Sequence, residues 1–176
     1  TDRPAYAKLC RLLTLGKRRA GKGACDLAWD DLAAYGEGML AVLVPDMPDA
    51  MLAARMARLR GDFADRAHLA LTLRRRPNEA LRLFELSEMA AAARVPTVAT
   101  NDVLYHHPER RILQDVVTCI RHHCTIDELG FRRERFADRH LKPPEEMARL
   151  FKAHPDAVER TGEIVGRCGL SLDDIS

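Results

Sequence analysis

Apolar positions along the chain follow two different spacings. From Tyr6 to Leu13 they recur at helical intervals, with Leu9, Leu12 and Leu13 on one side and Gly16 suited to the stop, so a helix is predicted over 5–15. Residues 17–24, rich in Lys, Arg and Gly, read as an exposed loop; Asp26 to Tyr35 reads as a second helix with Leu27, Leu32 and Ala33 inward. Gly38 to Val44 is a continuous apolar run ended by Pro45, the pattern of a strand buried on both faces. Helical spacing returns from Pro48 to Leu59, carried by Met51, Leu52, Arg55 and Leu59, and a second buried strand is predicted from Ala67 to Leu73. Asn78 to Arg94 is the clearest helix, with Leu81, Phe84, Leu86 and Met89 on its inward face. Val95 to Thr100 is a third strand whose pairing Pro96 confines. A helix follows from Glu109 to Ile120, and Pro143-Pro144 and Pro155 open two more.

Strands alternating with helices, then helices alone, predict an α/β fold with a parallel sheet or a barrel with outer helices. Three strands make a small sheet, so a partial domain is expected, with further strands ahead of Thr1.

Composition narrows the class without naming a chemistry. The 176 residues suffice for one domain with a core. Aromatics are only 5%, so Ala and Leu are left to fill that core, which favours helix-rich packing. A net charge of +2 excludes a strong global field for nucleic acid, although the basic residues cluster at 17–19, 74–76 and 132–142, where solvated surface is the plain reading. The five cysteines are odd in number and form no CxxC pair, which argues against a disulfide framework or zinc knuckle and for reduced, mostly buried thiols. No apolar run approaches the roughly 18 residues of a membrane span.

In α/β folds ligands gather at the carboxyl ends of the strands. The richest such place is Ala99 to His107, where Asp102 precedes His106 and His107; carboxylate and imidazole together suit zinc or manganese, while an Asx turn with two solvent-facing histidines is the plainer alternative. Pro45-Asp46 ends the first strand and suits a helix cap. His68 alternates with Ala70 and Thr72 and reads as a packed, hydrogen-bonded strand histidine. Arg121 to Cys124 suits favourable contacts with a helix C-terminus. Neither a P-loop nor a Ser-His-Asp arrangement is present.

Longer strings carry more. Thr97 to Arg111 resembles the polymerase-and-histidinol-phosphatase (PHP) domain of bacterial C-family DNA polymerases, as do Leu113 to Ile120, Cys124 to Glu128, Arg139 to Met147, Ala157 to Ile164 and Tyr6 to Thr14. The variant Asn101 to His106, with Leu141 to Pro144, is most similar to the error-prone, damage-inducible branch. The resemblance implies a partial distorted β/α barrel over residues 1–130 lacking its N-terminal strand, with a helical extension over 131–176 leading toward the polymerase domains. It implies a role within a DNA-directed DNA polymerase of translesion synthesis, with primer-template DNA, dNTPs and other mutagenesis or replisome subunits as partners in the cytoplasm. Polymerase Mg2+ would sit on aspartates beyond residue 176.

The resemblance also implies a Zn2+ or Mn2+ site closed by an Asp-x-His pair. Here the matching triplet is Asp102-Val103-Leu104, so a leucine stands where an imidazole belongs, and His106 or His107 would have to substitute. No His-x-His pair lies ahead of the Tyr6 helix. A structural role is therefore expected, with a metal-dependent phosphoesterase or a proofreading 3′-5′ exonuclease as the alternative. A further alternative makes the tail from Pro143 to Gly169 a dock for partner subunits. Arg74, Arg75 and Arg76 are the candidate DNA contacts, through phosphate.

Overall fold

The computed structural model describes residues 1–74, 77–133, 136–171 and 173. Asp2 caps the first helix, α1 (Arg3–Arg19), accepting from the Ala5 N–H at 2.9 Å, with proline in the first turn. The helix runs four residues past the predicted end at 15, into the segment expected as a loop. At Gly16 an added Cβ would lie 2.6 Å from Cys25 Sγ and from Leu27, so the residue serves a close approach within a continuing helix. A short α2 (Trp29–Tyr35) packs on α1.

β1 (Ala41–Leu43), α3 (Ala50–Phe63), β2 (Ala67–Thr72), α4 (Glu79–Ala92) and β3 (Thr97–Thr100) then alternate. The strands form a parallel sheet in the order β1-β2-β3, with Ala41 opposite Ala67 and Leu69 opposite Thr97. The α/β class is as expected. Among the described residues the sheet has three strands and is open, not closed into a barrel. Only β2, paired on both sides, is buried throughout. β1 is an edge, and its expected two-sided burial does not occur: Val42 is 40% exposed and Val44, just beyond the strand, 58%.

The core lies where α3, α4 and the sheet meet. Leu52, Met56, Leu59 and Phe63 of α3 pack with Leu83, Leu86 and Ala90 of α4 against Ala67, Leu69 and Leu71 of β2. Alternation along the strand sends His68 and Thr72 to the opposite face. After β3 come α5 (Arg111–His122), α6 (Pro144–Leu150) and α7 (Pro155–Arg167). α7 packs along β3, Arg160 Nη1 donating to the Thr97 carbonyl at 2.8 Å, and Phe151 and Ala157 join the same core cluster. Residues on both sides of position 130 thus share one interior. Among the described residues no helix is long and apolar enough to cross a membrane.

Candidate functional site

The carboxyl ends of β2 and β3 meet the 101–105 loop and the 136–142 segment. The Thr72 and Thr100 hydroxyls bond across the strand ends at 2.8 Å. Arg82, one turn into α4, donates to the carbonyls of Pro45 and Asp46 at 2.9 Å each and of Thr72 at 3.3 Å. That side chain ties the ends of β1 and β2 together.

Asp102 follows β3 with φ +46°, a left-handed conformation that Asp tolerates better than most residues. Its Oδ2 accepts from the Arg74 guanidinium, at the end of β2, and from Arg139 Nη2 at 2.7 Å. Arg139 Nε also donates to the Asp102 carbonyl at 3.0 Å. The Arg139 carbonyl accepts from the N–H groups of Leu104 (2.8 Å) and Tyr105 (3.3 Å), and Leu141 N–H returns to the Tyr105 carbonyl at 3.2 Å. The Asn101 amide donates to the His140 carbonyl, and Lys142 Nζ reaches Asn101 Oδ1 at 3.0 Å. Carboxylate, guanidinium and backbone therefore join three separate stretches of chain at one point.

Of the residues expected to form a site, Asp102 lies at the centre of this junction. His106 and His107 are exposed, and His107 Nδ1 lies 3.7 Å from Glu109 Oε2. Leu104 offers no lone pair. Among the described residues no three His, Cys, Asp or Glu side chains gather closely enough to hold a metal ion. A shell of one carboxylate facing two cations, beside an aliphatic side chain, does not fit a divalent metal. Of the three candidate DNA contacts, Arg74 is engaged with Asp102, while Arg75 and Arg76 lie outside the described residues.

Other expectations also meet the structure here. The cap of α3 is Asp49, whose Oδ1 accepts from the Leu52 N–H at 2.7 Å; Asp46 instead supplies its carbonyl to Arg82. His68 is packed as expected, its Nδ1–H donating to the Arg66 carbonyl at 3.2 Å. Burial is the main cause lowering its pKa, and Arg167 and Arg160 act in the same direction. α5 ends at His122, with His123 left-handed as its C-cap. The thiols are free, but only Cys119 is buried; Cys10, Cys25 and Cys168 are exposed, against the expectation of mostly buried cysteines.

Sequence reasoning missed Arg139 and Arg82, and placed Asn101 at the strand end only as part of a turn. Arg139 falls in a basic cluster that reads as solvated surface, and 37 residues separate it from Asp102, a span over which periodicity says nothing. Asp115 was missed as well: it is 2% exposed within α5, accepting from Arg133 Nε at 3.0 Å with Arg111 Nη2 at 3.6 Å.

Fold and site together define an α/β unit whose strand ends are closed by arginine–carboxylate and arginine–carbonyl contacts. No protein-family model matches the chain. Its sequence is homologous to one stretch of the error-prone DNA polymerases. It is 65% identical to error-prone DNA polymerase 1 of Agrobacterium fabrum over 174 residues and 49% identical to the error-prone DNA polymerase of Caulobacter vibrioides over 176. Each alignment takes in 99% of this chain and 16% of the relative, so the chain spans about a sixth of the length of the curated proteins it matches.

Proposed function

We propose that this chain is the PHP-type scaffold segment of an error-prone, DNA-directed DNA polymerase that acts in damage-induced translesion synthesis. The observation that carries the reading is the similarity, at 46–65% identity over 99% of the chain, to proteins of that name. Support for a scaffold role over catalysis comes from the strand ends, where Asp102 faces Arg74 and Arg139 and Leu104 offers no ligand. In this reading nucleotidyl transfer occurs elsewhere in the polymerase, on Mg2+ held by carboxylates outside this chain, with primer-template DNA and dNTPs as substrates. The whole enzyme works in the cytoplasm. The residues of this chain hold the sheet, the 101–105 loop and the helices after residue 130 in fixed relation, so that the polymerase domains are presented in one orientation.

The test uses the intact polymerase and asks whether this segment carries a working nuclease. His106 and His107 are exposed, so His106→Ala with His107→Ala is expected to keep primer extension past a lesion within about twofold. Removal of a mismatched 3′-terminal nucleotide should be equally unaffected. Loss of that removal in the double variant, with extension intact, would overturn the scaffold reading in favour of proofreading.

A further inference from the structure

Asp102 follows the last strand of the sheet, at the strand end where α/β folds gather their ligands and where a lone carboxylate needs a cation beside it. Here the carboxylate faces cations supplied by the chain. Arg74 and Arg139 together bring two positive charges, the formal charge of the divalent ion they would replace. All three side chains are half-buried: Arg74 is 28% exposed, Arg139 17% and Asp102 29%. A guanidinium keeps its charge at any physiological pH and directs its N–H groups in a fixed plane. Arg139 uses that plane twice, with Nη2 on the Asp102 carboxylate at 2.7 Å and Nε on the carbonyl of the same residue at 3.0 Å. A shared metal ion likewise draws together groups from different parts of a chain. The three groups here come from the end of β2, the end of β3 and the segment leading to α6.

We propose that the guanidinium groups of Arg74 and Arg139 take the place of a divalent cation at Asp102, forming a metal-independent clasp that holds residues 136–142 against the carboxyl ends of β2 and β3. The proposal rests on the scaffold reading and deepens it by naming the contact that does the holding. The backbone bonds between 104–105 and 139–141 lie beside this ion pair and join the same two segments, so loosening one is expected to loosen the other. A lysine at 139 would keep the charge but lose the two-point contact, since one ammonium cannot reproduce the planar fork.

The experiment is limited chymotryptic cleavage of the intact polymerase at Phe136 and Leu141, followed by mass spectrometry. This readout is local, so ions bound in the polymerase site do not confuse it. In the unmodified protein, EDTA, added Mn2+ or added Zn2+ should leave the cleavage rate at 136–141 unchanged. Asp102→Asn, Arg139→Gln and Arg139→Lys should each speed it by roughly three- to thirtyfold, as local opening becomes more populated. The Asp102→Asn/Arg139→Gln double variant should be cleaved less fast than the product of the two single effects, because the Asp102–Arg139 ion pair is lost in both. Acceleration by EDTA with protection by Mn2+ or Zn2+ would overturn the proposal, as a metal would then be doing the holding. Multiplying effects in the double variant would also overturn it. Neither result depends on the mismatch-removal assay, so failure of the clasp and failure of the scaffold reading are separable.

Discussion

His68 shows what burial does to a single titrating side chain. Among the described residues it is the buried histidine, 3% exposed in the middle strand. Its ring has given up water, which lowers the pKa most; the hydrogen bond to the Arg66 carbonyl and, more weakly, Glu163 oppose this, while Arg167 and Arg160 add to it as like charges. The folded state therefore prefers neutral imidazole and holds the pKa below the ordinary value. Below the unfolded pKa of about 6.5 the unfolded chain takes up a proton that the folded chain refuses. Stability is present in full above that pH, declines as pH falls toward the depressed folded value, and then levels. Chemical denaturation at pH 7.5, 6.5 and 5.5 should show this decline, and His68→Leu should flatten the part of the slope that His68 contributes. That His68 is packed could be read from its place in an apolar strand. Which charges lie near it could not, because α7 begins 87 residues later in the chain than His68.

At the scale of elements, local signals placed the helices and strands well and their faces less well. Each predicted helix and strand has an observed counterpart, because apolar spacing, Pro and Gly act within a few residues of where they stand. Faces depend on what lies opposite. Leu81 and Phe84 of α4 are 55% and 58% exposed, and the helix is buried along Leu83, Leu86 and Ala90, one step around. α5 turns a carboxylate inward: Asp115 and Cys119 are buried while Ile112, Leu113, Val117 and Ile120 are 47–68% exposed. Arg111, one turn earlier in the same helix, and Arg133, brought in from beyond it by the tertiary fold, make Asp115 tolerable inside. Capping shows the same limit at short range. Asp46 and Asp49 both sit near the start of α3, and only the backbone path decides that Asp49 bonds the Leu52 N–H. Asp49→Ala is expected to cost about 1 kcal/mol in urea unfolding, the usual worth of an N-cap, and Asp46→Ala a few tenths.

Over the whole molecule, one interior connects stretches far apart in sequence. Phe151 is 1% exposed and lies in the cluster that contains Phe63, Leu69 and Leu86. Phe151→Ala should therefore destabilise the chain by about 3–5 kcal/mol, with the sheet and the last helices still unfolding in a single transition by circular dichroism. Two transitions, with the sheet's midpoint unmoved, would mean that the tail forms a unit of its own. The amino-acid order alone determined the α/β class, the succession of elements and the leucine at position 104, because these follow from local periodicity and from side-chain identity. Only the tertiary structure decided that the sheet is open, that the tail shares its core, and that Asp102 meets Arg74 and Arg139. Contacts across 28 and 37 residues are settled by how packed layers bring distant groups together, and no local pattern encodes that meeting.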